Sequence, residues 1–149
     1  MSPAARNATM TLTSEVEAIM DTLCGLLDRE SNAVKGADFV TFKSVQEDKF
    51  AMLTRYKSLM ETLQRQAPAL KGGDQALRER LRLAGERFSA AAERNARVLE
   101  AGRNSMQRIV DRIVRSARET VHADRQTYTR KGRAGTTQAP LSIQVDTVL

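Results

Sequence analysis

The segment from Gln75 to Tyr128 constrains the fold of this chain more than any other feature of the sequence. It contains no proline and only two glycines, Gly85 and Gly102. Small or apolar residues recur within it at every third or fourth position, which is the period of a helix and not of a strand. These residues are Leu77, Leu81, Ala84, Phe88, Ala91, Val98, Met106, Ile109, Ile113, Ala117 and Val121.

An unbroken helix over this segment would be about 80 Å long. A chain of 149 residues is expected to form one domain, and a domain of that size cannot enclose such a helix on all sides. Much of the helix must therefore lie against another long helix, of the same chain or of a partner. The pattern points toward binding rather than catalysis.

The composition favours a slender helical protein over one with a thick core. Aromatic residues make up 4% of the chain and Trp is absent, whereas good helix formers dominate. No stretch is long and apolar enough to predict a membrane-spanning helix, and residues 1–6 lack the apolar core of a signal peptide. The single Cys24 permits no internal disulfide and agrees with a reducing compartment. We therefore expect a cytoplasmic protein without membrane insertion.

The turn signals divide the chain into three predicted helices, at about residues 13–35, 39–66 and 75–128. Residues 1–10 are expected to be a frayed leader, with Thr13 or Ser14 as the first cap. Residues 36–38 form the first break, and Asp38 is expected to cap the second helix. Pro68 ends the second helix. Residues 71–74 form a turn whose last residue, Asp74, is expected to cap the third helix.

We therefore predict an all-α fold, an antiparallel helical bundle or coiled-coil hairpin with one long C-terminal helix. The first two helices are expected to form a hairpin, and a single bent rod is the alternative. Residues 1–135 would form one domain, and residues 136–149 a disordered tail. The predicted apolar side of the second helix consists of Phe39, Phe42, Val45, Phe50, Leu53, Tyr56, Met60 and Leu63.

Asn95 and Gly102 interrupt one apolar seam of the long helix, and a buried Asn at such a position can fix the register of packed helices.

The sequence carries no recognisable catalytic, nucleotide or metal motif. His122 and Cys24 are the only residues of their types, they lie on different predicted helices, and no CxxC, HExxH, GxGxxG or GxxxxGK[ST] occurs. We therefore expect no enzyme activity, no cofactor and no metal.

Three stretches resemble the FlgN-like family of flagellar export chaperones. The first runs from Leu26 to Phe50 and contains the Leu-Leu pair, a short break and a later Lys. The second is the stretch of residues 95–104, which Asn95 begins, and the third is Tyr128-Thr129-Arg130-Lys131-Gly132. Their order and spacing agree with the predicted helices. The family's Trp is missing from the second stretch.

The resemblance implies a cytoplasmic chaperone of flagellar type III export. Such a chaperone holds the hook-associated proteins of the hook–filament junction and delivers them to a component of the export gate. The family's client-binding region matches Leu99, Met106, Ile109, Val110, Ile113 and Ala117, and its export-gate docking residue matches Tyr128. The mechanism would be reversible burial of an aggregation-prone segment.

The charge distribution keeps two alternatives open. Between Arg78 and Arg133 there are fifteen Lys or Arg against seven Asp or Glu. Such an excess fits a basic helical module that binds nucleic acid, although no aromatic residue is interleaved among the arginines to stack on bases. A structural coiled-coil oligomer is the other alternative.

Overall fold

The computed structural model describes residues 2–72 and 74–130, and within them the chain forms four α-helices and no strand. Helix α1 spans Pro3–Lys35, α2 spans Phe39–Arg65, α3 spans Ala67–Lys71, and α4 spans Gln75–Arg130. The prediction of an all-α fold is confirmed. The proposed disordered tail at residues 136–149 lies outside the described residues. None of the described helices has the length and apolar character that a membrane span requires.

The chain divides into two compact units, Met1–Met106 and Gln107–Leu149. Helix α4 contributes its residues 75–106 to the first unit and its residues 107–130 to the second. The hydrophobic core described below belongs entirely to the first unit.

Helix α1 begins ten residues earlier than the sequence analysis predicted. Pro3 occupies the first turn, and the Ser2 hydroxyl accepts a hydrogen bond from the amide of Ala5 at 3.3 Å. A capping Ser followed by Pro is a strong helix start, because proline has no amide to leave unpaired there. The prediction of a frayed leader was therefore wrong, and Thr9 and Leu12 are buried.

Helices α1 and α2 form the predicted hairpin, joined by a tight turn at residues 36–38. The amide of Asp38 bonds to the carbonyl of Ala33 at 2.9 Å, and the amide of Ala37 bonds to that of Val34 at 3.2 Å. This is a Schellman turn, in which the residue past the helix end adopts a left-handed conformation. That residue is Ala37, with φ of 52°, and not the preceding Gly36. Asp38 caps α2 as predicted, with the amide of Thr41 3.0 Å from its carboxylate.

The core of the first unit is assembled from all three long helices. Leu12, Val16 and Met20 of α1 cluster with Leu63 of α2 and Ala84 of α4. The rings of Tyr56 and Phe88 pack beside this cluster with their centroids 5.4 Å apart, a separation typical of favourable aromatic pairs. The antiparallel bundle thus encloses one face of residues 75–106.

Helix α2 is less buried than its predicted apolar side implied. Only Val45 and Leu63 are fully buried, while Phe39 and Phe50 are 66% and 76% exposed. Val45 and Leu63 are eighteen residues apart, which is five complete turns, so they lie on one line along the helix. Phe50 is five residues from Val45 and therefore about 140° around the axis. The helical period alone therefore predicted a wider buried side for α2 than the structure has.

Pro68 does not end α2 directly. Helix α2 ends at Arg65, where the cap residue Gln66 donates its amide to the carbonyl of Thr62 at 3.2 Å. Pro68 lies in the first turn of the short helix α3, which the sequence analysis did not predict. Proline is tolerated there because the first turn of a helix does not use the amide that proline lacks. The predicted cap of the long helix is confirmed, since the carboxylate of Asp74 accepts from the amide of Ala76 at 2.9 Å.

Candidate binding face on helix α4

A buried polar cluster fixes residues 75–106 of α4 against the hairpin. The carboxylate of Glu30 on α1 is 1% exposed and receives the ammonium of Lys49 on α2 at 2.6 Å. Gln46 on α2 also donates to Glu30, and the side-chain amide of Asn95 on α4 donates to it at 2.8 Å. The same amide lies 3.1 Å from the carbonyl of Leu27. One carboxylate therefore connects the three long helices, and Asn95 is buried.

The charge of Glu30 is stabilised within this cluster. Burial would raise the pKa of the carboxyl, but hydrogen bonds from Lys49, Gln46 and Asn95, together with the Lys49 charge, hold the pKa below its ordinary value. A buried charge is expensive to maintain unless such partners surround it. The ionised cluster therefore favours one register of α4 along the hairpin.

Gly102 gives a second reason for that register. A methyl group built on its Cα would lie 2.7 Å from the Cγ1 atom of Val34 on α1, closer than non-bonded carbon atoms approach. Only glycine permits helices α1 and α4 to approach this closely at residue 102. The two residues that interrupted the apolar seam in the sequence are therefore a buried hydrogen-bond donor and a close helix contact.

Within the second unit, α4 carries exposed large apolar side chains. Ile109 is 51% exposed and Ile113 is 62% exposed, whereas Val110 is half-buried and Ala117 is exposed. Residues three or four positions apart lie on one side of a helix, so these four form a continuous surface, here called the isoleucine face. Residues 107–130 contain neither glycine nor proline, and the helix is unbroken there.

The two remaining predicted client-binding residues belong to the first unit. Leu99 is half-buried, and Met106 is 47% exposed. The predicted gate-docking residue Tyr128 is 76% exposed near the end of α4. The structure thus places Ile109, Val110, Ile113 and Ala117 on one side of the helix, while the roles assigned to all seven residues stay predictions.

Positive charge lies along one edge of the isoleucine face. Arg108 and Arg112 each precede an isoleucine by one residue and are exposed. Arg115 is also exposed, but it is two residues from Ile113 and therefore lies toward the opposite side of the helix. Among the ion pairs between described residues, none includes these three arginines. The one carboxylate within residues 107–118, Asp111, is two residues from both isoleucines and so points to the opposite side, where Gln107 donates to it at 3.0 Å.

Several arginines in the first unit take part in ion pairs. Arg80 pairs with Glu17 at 2.7 Å, and Arg82 pairs with Glu79 at the same distance and also with Glu86. The pairs within α4 are typical of an exposed helix face on which opposite charges lie three or four residues apart. Arg108 and Arg112, by contrast, take part in none of the ion pairs between described residues and lie beside the isoleucines.

Sequence reasoning missed the role of Glu30, although a signal was present. Leu23, Leu27, Glu30 and Val34 follow one another at steps of four and three, so Glu30 occupies a position in the apolar stripe of α1. A carboxylate in such a stripe requires buried partners. The partners could not be identified from the sequence, because Lys49 and Asn95 are distant along the chain.

Other reactive groups in the described residues do not form a site. Cys24 is a half-buried free thiol whose pKa is raised by burial and by the nearby carboxylates Asp21 and Asp28, and a raised pKa makes a thiol less reactive. His122 is exposed. No group of His, Cys, Asp and Glu side chains within residues 2–72 and 74–130 is arranged to hold a metal ion.

Comparisons of the chain with protein-family models, with curated proteins and with solved structures gave no significant match.

Proposed function

We propose that this protein is a cytoplasmic export chaperone that binds flagellar hook-associated proteins and delivers them to the flagellar type III export gate. The observation that carries the proposal is the exposure of Ile109 and Ile113. Both lie in the part of the long helix that the resemblance to FlgN-like chaperones assigns to the client. Large apolar side chains clustered on an exposed surface are typical of protein-binding sites.

The proposed mechanism is burial without chemistry. A client segment with one apolar face would lie along the isoleucine face and lose its exposed apolar surface, which delays its self-assembly. The polar cluster around Glu30 and the close contact at Gly102 would hold the helix rigidly in the first unit. A preformed helix loses little conformational freedom on binding, and this favours affinity.

Tyr128 is proposed to contact the export gate rather than the client. Its ring is largely exposed, and exposed aromatic residues often dominate small interfaces. A Tyr128→Ala variant should keep its fold and its client affinity but reduce secretion of hook-associated proteins and motility. Normal motility would remove this role, and loss of client affinity would show that the two sites are one.

The experiment that tests the function is titration of the full chain with each purified hook-associated protein at low and high salt. A complex that persists at high salt supports the proposal, because burial of apolar surface does not depend on released counterions. Binding to nucleic acid loses affinity steeply as salt rises, and such binding without a protein client would favour the basic module. A defined oligomer that light scattering detects in the isolated protein, without client binding, would favour the structural coiled coil.

A further inference from the structure

The isoleucine face has a charge asymmetry that restricts what can bind it. The residues that directly precede its two isoleucines, Arg108 and Arg112, are both positive. The carboxylate of Asp111 is turned about 200° away from both isoleucines and accepts a hydrogen bond from Gln107. A partner on this face therefore meets apolar surface that is bordered along one edge by cationic side chains.

Arginine is suited to this position at the edge of an interface. Its long apolar stem can lie on a neighbouring hydrophobic surface while its guanidinium reaches outward. The planar guanidinium then pairs with a carboxylate through two parallel hydrogen bonds. Arg108 and Arg112 are four residues apart, one helical turn, so carboxylates spaced by one turn on a partner helix would meet both.

We infer that the isoleucine face binds an amphipathic helix whose apolar side is bordered by acidic residues. The inference rests on the proposed function and specifies the chemistry of the client. This basic edge would repel a helix that places lysines against it, so the arginines select against such partners as well as for acidic ones.

A nucleic acid is the other anionic partner that arginines could bind. Phosphates would use the guanidinium groups but leave Ile109 and Ile113 exposed to water, since the isoleucines offer nothing to a phosphate or a sugar. Base stacking would need aromatic side chains, and residues 107–130 contain no Phe or Trp and a single Tyr, Tyr128. The combination of isoleucines and arginines on one helix therefore favours an acidic amphipathic helix.

The test uses two synthetic helical peptides of about five turns with the same leucine face. One peptide carries Glu at every position that borders the leucines, and the other carries Lys. Fluorescence anisotropy measures the affinity of each for the full-length protein. The variants are Arg108→Glu/Arg112→Glu and a control of equal charge change on α2, Arg55→Glu/Lys57→Glu, both of whose side chains are exposed.

We expect the acidic peptide to bind at least about tenfold more tightly than the basic one at low salt, with the difference reduced at high salt. The Arg108→Glu/Arg112→Glu variant should reverse this preference, and the α2 control should keep it. Equal affinities, no binding of either peptide, or an unchanged preference in the Arg108→Glu/Arg112→Glu variant would overturn the inference. So would tight binding of duplex DNA that depends on Arg108 and Arg112 but not on Ile113.

The inference and the proposed function can be contradicted independently of each other. If a hook-associated protein binds through Ile113 while the peptides show no acidic preference, the inference is wrong and the function stands. If the acidic peptide is preferred while no hook-associated protein binds, the charge selectivity stands and the proposed client is wrong.

Discussion

The side-chain amide of Asn95 on α4 donates a 2.8 Å hydrogen bond to the carboxylate of Glu30 on α1, and both residues are buried. This bond joins residues that are 65 positions apart in the sequence. Because Lys49 and Gln46 of α2 also donate to Glu30, the three long helices of the first unit share one ionic centre. Apolar packing tolerates sliding of one helix along another, whereas this centre has partners in only one register.

We predict that Asn95→Ala lowers the free energy of unfolding by about 1.5–3 kcal/mol, which is the usual contribution of a hydrogen bond to a charged group. Chemical denaturation of the full chain measures the change. The matched control is Glu79→Gln, which removes an ion pair with Arg82 on the exposed side of the same helix and should change the denaturation midpoint little. If the two variants are equally stable, the cluster does not hold α4.

The stabilising effect of Glu30 should disappear at low pH. Its pKa is lower in the folded protein than the ordinary value of 4.5, so the folded state favours the ionised carboxylate. The contribution is therefore fully present above about pH 4.5 and is lost as the pH falls through the folded pKa. We expect the difference in unfolding free energy between the wild type and Glu30→Gln to shrink between pH 7 and pH 3. A difference that stays constant or grows would contradict the lowered pKa.

The turn between α1 and α2 offers a stabilising substitution. Ala37 has φ of 52°, a conformation that costs an L-residue about 1–2 kcal/mol but costs glycine nothing sterically. Glycine loses more freedom on folding, by about 0.5–1 kcal/mol, so Ala37→Gly should stabilise the protein by roughly 0.5–1 kcal/mol. Thermal unfolding measures this change. Gly36→Ala is the control, and it should not stabilise, because its Cβ would lie 3.3 Å from the Asn32 carbonyl oxygen.

The two glycines of α4 should respond oppositely to replacement by alanine. A Cβ at Gly85 would meet no atom within 4 Å, so Gly85→Ala should stabilise the helix by about 0.8–1 kcal/mol. At Gly102 the same group would overlap Val34, and overpacking of this kind costs about 1–3 kcal/mol. Denaturation of both variants tests the contact, and a Gly102→Ala protein as stable as Gly85→Ala would show that the helices do not approach so closely.

The sequence was sufficient for the helical architecture because local signals determine it. The proline-free period after Gln75, the cap at Asp38 and the turn before Asp74 each act within a few residues, and the structure has helices where they predict them. The start of α1 at Ser2-Pro3 is also a local signal, but the sequence analysis did not predict it. The left-handed conformation of Ala37 could not be predicted from local signals, because it results from the tertiary need for a tight hairpin.

The candidate site could be predicted only in part. Spacing alone groups Ile109, Ile113 and Ala117 on one side of a helix, but it does not distinguish a buried side from an exposed one. Phe50 illustrates the difficulty, since it was assigned to the apolar side of the second helix and is 76% exposed. Glu30 shows the opposite error, since burial of its carboxylate depends on donors from two other helices.

The most direct test of the proposed chaperone function is the affinity of the Ile113→Asp protein for the purified hook-associated proteins. A carboxylate at residue 113 is tolerated on the free, 62% exposed surface but would be buried without a partner in the complex, at a cost of several kcal/mol. The control is His122→Asp, nine residues further along the helix and therefore on its opposite side. We predict that Ile113→Asp abolishes detectable binding with an unchanged melting temperature, while His122→Asp binds as the wild type does. Wild-type affinity of Ile113→Asp, or a sharp fall in its melting temperature, would contradict the account.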